Sequence, residues 1–592
     1  MDCFNYPFDT KKFYRKKAAL KRTLSEKENL IEKRIAILGG STTNELADQL
    51  SVFLLYYGIR AIIYQSEYGQ YWQDAVFGTE ELNNFKPDII YIHTSWRNIT
   101  AFPDLKDKEE DVNNLLASEM KRFETMWDNL EEKFHCPIIQ NNFDRPNYRL
   151  MGNRDVWDYR GRTNYISRLN QLFYEYAQKH ANFYINDLEY ISQDYGLSEW
   201  NNSLYWHMYK CAMCMDAIPY VAQSVSYIIK SIYGKNKKAL VLDLDNTLWG
   251  GIVGDDGVEG IKIGPEVPKG QVYAEFQEYC KKLKDIGVVL AINSKNEMEN
   301  ALAGLNHPDG VLRANDFVDI KANWNPKDVN LRDIANDLTL GVDSFVFADD
   351  NPVERDIVSK QLPTVATPAM EGAENYIKIL DHCGYFETTV ISEEDLLKTE
   401  MYHAKEKAKK EAATFANYED YLDSLQMMAI IDEFKPIYMQ RIAQLTNKSN
   451  QFNLTALRCS EDDVKAMQES QDHICLCGRL KDKFADNGLV TIVIGQISGK
   501  ELHMKLWLMS CRVLKRGLED LMMNEVIAKA RQYGLTTIVG YYYPTLKNAM
   551  VKNFYQEMGF EKVLENEDGN TEWRLNIVDY TQRKVHISLE EV

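Results

Sequence analysis

Two aspartates, separated by one residue, follow an apolar run near the middle of the chain. The run covers residues 240–242, and Asp243 and Asp245 come directly after it, with one leucine between them. Such a run indicates a buried parallel strand, and open α/β sheets bind their ligands at the carboxyl ends of these strands. In an extended chain both carboxylates point to the same side, where they repel unless a cation binds them or one is protonated. The spacing therefore predicts a chemical site as well as a strand.

Three later segments supply groups that complement these carboxylates. A second apolar strand ends at Ser294, a helical stretch carries Lys327 in its first turn, and a third strand ends in Asp349 and Asp350. Together they offer a carboxylate nucleophile, a hydroxyl donor, an ammonium group and oxygen ligands for a divalent cation. This set suits phosphoryl transfer through an aspartyl-phosphate.

The order of these motifs resembles that of the haloacid dehalogenase superfamily. The full sequences of the motifs resemble those of its FkbH-type branch, subfamily IIIC. The four motifs are residues 243–251 (DLDNTLWGG), 294–296 (SKN), 323–327 (NWNPK) and 349–355 (DDNPVER). In that branch, similar proteins handle a phosphorylated three-carbon acid derived from glycolysis and load its acyl group onto a carrier protein. The resemblance thus implies a phosphorylated acyl substrate.

The resemblance also implies a role for each matched residue. Asp243 matches the nucleophile, and Asp245 matches the general acid and base. The implied phosphate-binding residues are Thr247, Ser294, Lys295 and Lys327. The implied Mg²⁺ ligands are Asp243, Asp245 through its backbone carbonyl, Asp349 and Asp350, with Asp350 favoured over Asp349 as the direct ligand.

The spacing of the motifs leaves no room for a cap domain. Between Asp243 and Ser294 the chain has a glycine-rich flap, residues 250–270, and one amphipathic segment, residues 272–286. Between Ser294 and Lys327 it has another helix and a short strand. Neither interval is long enough for an independent domain. We therefore expect a capless site that accepts a large or carrier-tethered substrate, unless a flanking domain serves as its lid.

The N-terminal region resembles the SGNH hydrolases. Its strand candidates are residues 34–38, 59–64, 87–93, 137–140 and 182–187. The resemblance implies Ser41 as a nucleophile after two glycines, His207 as its partner and Asn98 as an oxyanion donor. This chain has Leu204 where the family places the aspartate that orients the histidine. That departure favours a docking or lid role over ester hydrolysis.

The C-terminal region, from about residue 420, resembles the GNAT acyltransferases. A strand at residues 502–510 leads through residues 512–517 (RVLKRG) into a helix at residues 518–531, and a second strand covers residues 536–542. In that family, backbone N–H groups at a helix N-terminus bind the coenzyme A pyrophosphate. Lys515 stands where the family has its first glycine. The residues implied for this chemistry are Arg512, Arg516, Gly517, Asn548 and Tyr555, the last as a general acid or as a packed aromatic residue.

Composition narrows the functional classes. The chain has 592 residues, of which 45% are hydrophobic and 11% aromatic, which is typical of folded globular domains. A net charge of −19 argues against nucleic acid as a partner. No apolar run is long enough to cross a membrane, so no membrane partner is expected. The ten cysteines have no framework-like spacing, which favours the reducing cytoplasm.

We therefore predict an α/β chain of three domains. A central capless haloacid dehalogenase-like Rossmannoid sheet (residues 234–390) lies between an SGNH-like three-layer domain (1–233) and a helical linker with a GNAT-like domain (391–592). The leading hypothesis is a Mg²⁺-dependent enzyme that dephosphorylates a small phospho-acyl, glyceryl-like substrate and transfers the acyl group to a carrier protein. The further cofactor is then the carrier phosphopantetheine, or acetyl-CoA if the C-terminal domain is active.

Two other hypotheses stay open on the sequence. One is a phosphatase fused to an acyltransferase that tailors a sugar or polysaccharide precursor. The other is a scaffold whose end domains bind partners while only the central domain reacts.

Overall fold

The computed structural model describes residues 3–412, 415, 417–449, 451–545 and 547–590. The chain divides into two compact units. The first contains residues 8–232 and the start of the chain, and the second contains residues 5–7 and the chain from residue 233 onward. Within the described ranges, no helix is long and apolar enough to span a bilayer. The division into three domains stays a prediction.

The first unit contains a parallel sheet. Its strands are β1 (Ile31–Gly39), β2 (Ile59–Gln65), β3 (Ile89–His93), β4 (Ile138–Asn141) and β5 (Phe183–Asn186). They lie in the order β2-β1-β3-β4-β5 and are parallel throughout. Residues 35–39 of β1 are all buried, as expected for a strand that is covered on both faces.

The helices of the first unit alternate with its strands. They are α1 (Thr10–Ser25), α2 (Asn44–Tyr56), α3 (Tyr71–Val76), α4 (Glu80–Phe85), α5 (Glu109–Phe134), α6 (Arg162–Lys179), α7 (Leu188–Tyr195), α8 (Leu197–Trp200), α9 (Ser203–Tyr209) and α10 (Ile218–Ile232). Helix α2 packs against α10, while Phe123 and Trp127 of α5 contact Phe173 of α6. This alternation of strands and helices agrees with the α/β fold class.

The second unit begins with the sheet that carries the candidate chemistry. Its strands are β6 (Ala239–Leu242), β7 (Val289–Ser294), β8 (Asp319–Ala322) and β9 (Phe345–Ala348). They are parallel and lie in the order β8-β7-β6-β9. Leu242 pairs with Ile292 on one side and with Ala348 on the other. The residues that follow β6, β7 and β9 are therefore brought to one edge of the sheet.

The helices around this sheet include no separate cap. They are α11 (Val253–Asp256), α12 (Pro268–Asp285), α13 (Met298–Leu305), α14 (Lys327–Leu338), α15 (Pro352–Gln361), α16 (Tyr376–His382), α17 (Glu393–Leu396) and α18 (Lys398–Ala412). Between Asp243 and Ser294, an interval that the structure describes completely, the helices are α11 and α12. The site therefore has a short flap above it.

The C-terminal part of the second unit contains a mixed sheet. Its strands are β10 (Met427–Glu433), β11 (Phe452–Asn453), β12 (His473–Lys481), β13 (Asp486–Ser498), β14 (Glu501–Met509), β15 (Thr537–Tyr542), β16 (Glu561–Glu565), β17 (Thr571–Asn576) and β18 (Ile587–Leu589). The order is β16-β17-β15-β14-β13-β12-β10-β18, with β11 paired to β14. The helices are α19 (Tyr418–Ser424), α20 (Met439–Lys448), α21 (Glu461–Glu469), α22 (Leu518–Gln532) and α23 (Phe554–Glu557).

Helices α17 and α18 connect the two parts of the second unit. Lys398 donates to the backbone carbonyl of Gly287 at 2.9 Å, and Tyr402 packs in the core of the β6–β9 sheet. On the other side, Glu394 accepts hydrogen bonds from Arg441 and Arg512. Partly buried charge pairs, a lysine-to-carbonyl hydrogen bond and apolar packing thus hold the β6–β9 sheet and the C-terminal sheet together.

Candidate active site

Asp243 lies at the centre of the candidate site because it directly follows the central strand β6. Its backbone N–H donates to the carbonyl of Ala348 at 3.0 Å, which continues the pairing of β6 with β9. The Nζ of Lys327 lies 3.0 Å from Asp243 Oδ2. Asp243 Oδ1 is buried and has no hydrogen-bond partner. One carboxylate oxygen therefore remains available for chemistry or for a cation.

Two more carboxylates converge on Asp243. Ligand oxygens of Asp243, Asp349 and Asp350 lie within 4.8 Å of one another. Asp349 is fully buried. Its Oδ2 accepts a hydrogen bond from Lys327 Nζ at 2.5 Å, and its Oδ1 accepts one from the backbone N–H of Asn351 at 2.8 Å. Burial, with the charge of Asp243, raises the pKa of Asp349 to about 6 although Lys327 opposes this rise. Asp350 is less buried, and its pKa is also raised by burial and by the charge of Asp243.

This cluster fits a hard divalent cation. Three carboxylates at such distances repel one another, and Lys327 compensates only part of their charge. All of the donor atoms are oxygens, the ligands that Mg²⁺ prefers, and Asp243 Oδ1 has no other partner. Asp243 and Asp350 would hold the ion, because Asp349 is already engaged by Lys327 and Asn351.

Lys327 is placed by the start of helix α14. Its side chain is only 2% exposed, and Asn293 Nδ2 donates to its backbone carbonyl at 2.9 Å, which ties α14 to β7. Burial alone would lower the pKa of Lys327, but Asp243 and Asp349 raise it above the ordinary value. The neighbouring carboxylates therefore hold the ammonium group of Lys327 in its charged form.

The three remaining residues predicted to bind phosphate lie in different environments. Ser294 is the last residue of β7, on the strand beside β6, and is 2% exposed. Thr247 is fully buried, and its Oγ1 accepts the backbone N–H of Asp350 at 3.2 Å, so it positions that loop. Lys295 instead forms an ion pair with Glu354 at 2.6 Å. The ammonium group of Lys295 thus already has an anionic partner.

The carboxylate of Asp245 is held by three donors. Its Oδ1 accepts from the indole Nε1 of Trp249 at 2.8 Å and from the backbone N–H of Val253 at 3.0 Å. Its Oδ2 accepts from Asn296 Nδ2 at 3.0 Å. The pKa of Asp245 is raised above its usual value by burial and by the charge of Asp243, although the hydrogen bonds from Val253 and Trp249 and the charge of Lys327 lower it.

Several of these supporting residues were not identified from the sequence. Trp249 and Asn296 stand inside the motifs at residues 243–251 and 294–296, but spacing alone does not indicate that both donate to Asp245. Arg355 was also missed, and it donates to the backbone carbonyls of Asp349 at 2.7 Å and Asp350 at 2.8 Å. Only their place in the motifs could have drawn attention to them.

An open cleft of about 700 Å³ lies beside Asp350. Its walls include Lys269, Tyr273 and Tyr376. The hydroxyls of Tyr273 and Tyr376 donate to the backbone carbonyl of Asn246 at 3.4 and 3.0 Å. The cleft therefore opens beside one carboxylate of the cluster, that of Asp350.

Asn98 contacts the carbonyl next to Ser41, but among the described residues no hydrogen bond joins Ser41, Asn98 and His207 into one set. Ser41 is 3% exposed, and its hydroxyl has no hydrogen-bond partner. Asn98 donates to the carbonyl of Gly40 at 2.8 Å and accepts the N–H of Ser95 at 2.9 Å, so its amide stabilises the loop. His207 is exposed on α9, and within the described residues no hydrogen bond joins it to Ser41. Their assembly into a catalytic pair therefore stays a prediction.

The GNAT-like residues are engaged by the protein itself. Arg512 donates to Glu394 at 3.0 Å, and Arg516 pairs with Asp482. The amide of the fully buried Asn548 donates to the carbonyl of Asn453 at 2.8 Å. Gly517 has a φ of +81° at the start of α22, a conformation that favours glycine, and Tyr555 is buried at 1% exposure.

The same region does not fit a coenzyme A pyrophosphate. Glu519 Oε1 accepts the backbone N–H of Lys515 at 3.2 Å, and burial raises the pKa of this carboxyl group. A carboxylate of the chain itself therefore lies at the anion site before α22 and takes one of its N–H donors. In addition, β11 pairs with the end of β14 through Phe452 and Asn453, where β14 no longer pairs with β15. The expectation of acetyl-CoA binding has no support in this geometry.

Comparisons with known proteins match the first unit to an FkbH domain and a larger part of the chain to a protein that contains a phosphatase domain. A family model described as the FkbH N-terminal domain matches residues 34–230. The crystal structure of the N-terminal part of protein BF1531 from Bacteroides fragilis, which contains a phosphatase domain complexed with Mg, is similar with a TM-score of 0.58. Its sequence is 30% identical, and the match covers 63% of this chain and 99% of that chain.

Other similarities are more distant. The ribosomal-protein-S18-alanine N-acetyltransferase from Escherichia coli is 14% identical with a TM-score of 0.21, over 25% of this chain and 94% of that chain. The GNAT domain of S. lividans PAT is 16% identical with a TM-score of 0.21, over 25% of this chain and 89% of that chain. No curated protein matches the chain. With the BF1531 match and the FkbH model taken together, the chain belongs to the FkbH-like proteins of the haloacid dehalogenase superfamily.

Proposed function

We propose that the chain is a Mg²⁺-dependent phosphatase or phosphotransferase that works through an aspartyl-phosphate on Asp243. One observation carries the proposal: Asp243 keeps a buried, unpartnered Oδ1 while Lys327, Asp349 and Asp350 surround it. The phosphatase domain of BF1531, crystallised with Mg, supports the same conclusion. Mg²⁺ would neutralise charge so that an anionic carboxylate can approach an anionic phosphate.

The side chains divide the reaction into two displacements. In the first, Asp243 Oδ1 attacks phosphorus, the bond from phosphorus to the leaving oxygen breaks, and Asp245 gives that oxygen its proton. In the second, Asp245 takes a proton from the attacking water, the bond between phosphorus and the Asp243 carboxylate breaks, and inorganic phosphate is released. Lys327 stabilises the negative charge on the equatorial oxygens throughout.

The preferred substrate is a small phospho-acyl compound whose acyl group passes to a carrier-protein phosphopantetheine thiol. The FkbH-type resemblance and the open cleft beside Asp350 support a substrate or acceptor that is tethered to a larger molecule. Cys280, the cysteine nearest to the aspartate motif in sequence, is fully buried, and burial raises the pKa of its thiol. A buried neutral thiol is a poor nucleophile, so no thioester on the enzyme is proposed. In acyl transfer the carrier thiol would attack the acyl carbon directly, the bond from that carbon to the phosphate oxygen would break, and phosphate would leave with the thiol proton.

The alternative of a fused acyltransferase has less support. Glu519 lies at its anion site before α22, and Arg512 is paired with Glu394. A scaffold role for the flanking regions is compatible with a reactive centre. We therefore assign the chemistry to the β6–β9 sheet.

Phosphate release tests the proposal directly. The full chain is incubated with Mg²⁺ and an acyl phosphate, with and without carrier protein, and inorganic phosphate and acylated carrier are measured. Asp243→Asn should abolish phosphate release without carrier protein, because an amide oxygen cannot act as the nucleophile, and should lower carrier acylation, because Asp243 would no longer help to hold Mg²⁺. Asp333→Asn, a change at an exposed residue of α14, serves as the control and should leave the rate unchanged. Phosphate release by Asp243→Asn at the wild-type rate would contradict the mechanism.

A further inference from the structure

Asp245 accepts three hydrogen bonds whose role in the proposed reaction has not been assigned above. Its carboxylate receives donors from three segments: Trp249 from its own loop, Val253 from the flap helix α11, and Asn296 from the loop after β7. We propose that Trp249 and Asn296 are positioning residues that direct one lone pair of Asp245 Oδ2 toward the leaving oxygen. This inference rests on the proposed phosphatase function.

The number of hydrogen bonds decides which oxygen of Asp245 can carry the transferable proton. A carboxylate oxygen has two lone pairs that accept in its plane. On Oδ1, both are used, by the indole of Trp249 at 2.8 Å and by the N–H of Val253 at 3.0 Å. On Oδ2, Asn296 uses one at 3.0 Å. The proton of the acid form therefore occupies the remaining position on Oδ2.

This assignment fixes the direction of proton transfer. When the bond from phosphorus to the leaving oxygen breaks, the proton moves from Oδ2 to that oxygen, and the electron pair of the O–H bond stays on Oδ2. Asn296 and Trp249 then stabilise the carboxylate that is formed, because both remain donors. Without them the carboxyl group can rotate and present the wrong oxygen.

The environment of Trp249 indicates that its indole N–H has a purpose besides packing. Trp249 is fully buried, where an unpaired N–H would be costly. A Cβ at Gly304 of α13 would lie 2.7 Å from the Trp249 ring, so this helix makes room for the full indole. A phenylalanine could fill much of the same apolar space without contacting Asp245.

The environment of Asn296 leads to the same conclusion. Asn296 is 5% exposed and reaches Asp245 from the loop that begins at Ser294. Val253 contributes only its backbone, so the donors that substitution can remove are Trp249 and Asn296. Both can be tested without changing a group that touches phosphate.

The test compares two phosphate monoesters that differ in their need for an acid. The alkoxide that leaves glycerol 3-phosphate requires a proton, whereas the p-nitrophenolate that leaves p-nitrophenyl phosphate does not. For Trp249→Phe and Asn296→Ala we expect kcat on glycerol 3-phosphate to fall by about 100-fold, the lower end of what general acid catalysis contributes. On p-nitrophenyl phosphate we expect a change of less than about threefold, with KM unchanged on both substrates.

Two further variants separate positioning from a loss of stability. Trp573→Phe removes another buried indole hydrogen bond, the one to Thr571 Oγ1 at 2.8 Å, and should leave both rates unchanged. Asn296→Gln keeps an amide donor and should recover part of the rate on glycerol 3-phosphate. If Trp249→Phe does not fold, the two Asn296 variants provide the same comparison.

The outcomes distinguish the inference from the proposed function. Equal losses on both substrates, or no loss on glycerol 3-phosphate, would overturn the positioning role while leaving the phosphatase in place. If the wild-type chain releases phosphate from neither ester nor from an acyl phosphate, the proposed function itself fails. A loss confined to the alkyl ester supports the inference.

Discussion

Replacing Lys327 with methionine removes the cation that two buried carboxylates share. The Nζ of Lys327 lies 3.0 Å from Asp243 and 2.5 Å from Asp349, and the side chains of Lys327 and Asp349 are 2% and 0% exposed. Methionine has a similar length and packs flexibly, so the change is mainly electrostatic. At pairs this deeply buried, little solvent screens the charges.

The magnitude follows from the cost of an uncompensated buried charge. Removing one partner of a buried ion pair costs about 3–5 kcal/mol. The pKa of Asp349 is already about 6 with Lys327 present, and it rises further without that cation. Proton uptake by Asp349 at pH 7 therefore limits the loss, and we expect about 3 kcal/mol. The variant should also release phosphate far more slowly, because the group that stabilises the equatorial oxygens is absent.

Hydrogen exchange of the full chain provides the assay. Amides of β6 and β9 are followed in wild type and in Lys327→Met, with and without Mg²⁺, since global unfolding of a chain with several compact parts is difficult to interpret. We expect faster exchange in the variant, and partial recovery with Mg²⁺ because the ion takes over charge neutralisation. Lys321→Met is the control. The partly exposed Lys321 pairs with Asp319 at 3.3 Å and with Asp337 at 2.8 Å, and the loss of these pairs should lower the opening free energies by less than about 1 kcal/mol.

A clear result would refute this reasoning. Suppose that, without Mg²⁺, the opening free energies of the β6 and β9 amides in Lys327→Met lie within about 0.5 kcal/mol of the wild-type values. The ion pairs of Lys327 then do not stabilise these strand ends. Slower exchange in the variant would contradict it even more strongly.

Three further predictions concern the metal site, the first unit and the C-terminal sheet. Asp350→Asn should weaken Mg²⁺ binding by at least about tenfold in calorimetry, whereas Asp356→Asn at an exposed position should not; equal affinities would remove Asp350 from the ligand set. Burial lowers the pKa of His93 to about 4 from 6.5, so the unfolded chain binds more protons between these values. The free energy of unfolding should therefore fall by up to about 3 kcal/mol as the pH drops through that window. Hydrogen exchange of the β3 amides should report a lower opening free energy at pH 5 than at pH 7 in wild type but not in His93→Gln. Acetyl-CoA should give no binding heat, because Glu519 lies at the anion site before α22 and takes one of its N–H donors, and measurable binding would show that this interpretation is wrong.

Local patterns predicted the elements that carry the site. The apolar runs at residues 240–242 and 344–348 became β6 and β9, and the predicted strand and helix at residues 502–510 and 518–531 agree with β14 and α22. These predictions succeed because burial on both faces imposes a continuous apolar run, and a parallel sheet then brings the strand ends to one edge. The convergence of Asp243, Asp349 and Asp350 follows from this rule.

Contacts between distant side chains could not be read in the same way. Lys295 was predicted to bind phosphate, but the structure pairs it with Glu354, and Arg512, predicted for coenzyme A, is paired with Glu394. A charged side chain has no periodicity that indicates its partner, and the anion it meets depends on how helices and loops pack. Motif membership therefore identifies a residue type without identifying its contact.

The sequence by itself determined the α/β class, the strand ends and the set of acids, hydroxyl and lysine that can transfer a phosphoryl group, because these depend on local burial patterns and side-chain chemistry. Only the tertiary structure decided how that set is held. It brought Asn296 into hydrogen-bond contact with Asp245, 51 residues away in sequence, and placed the carboxylate of Glu519 at the anion site before α22. Hydrogen bonds depend on distance and direction to within a few tenths of an ångström, and only the packed chain fixes those.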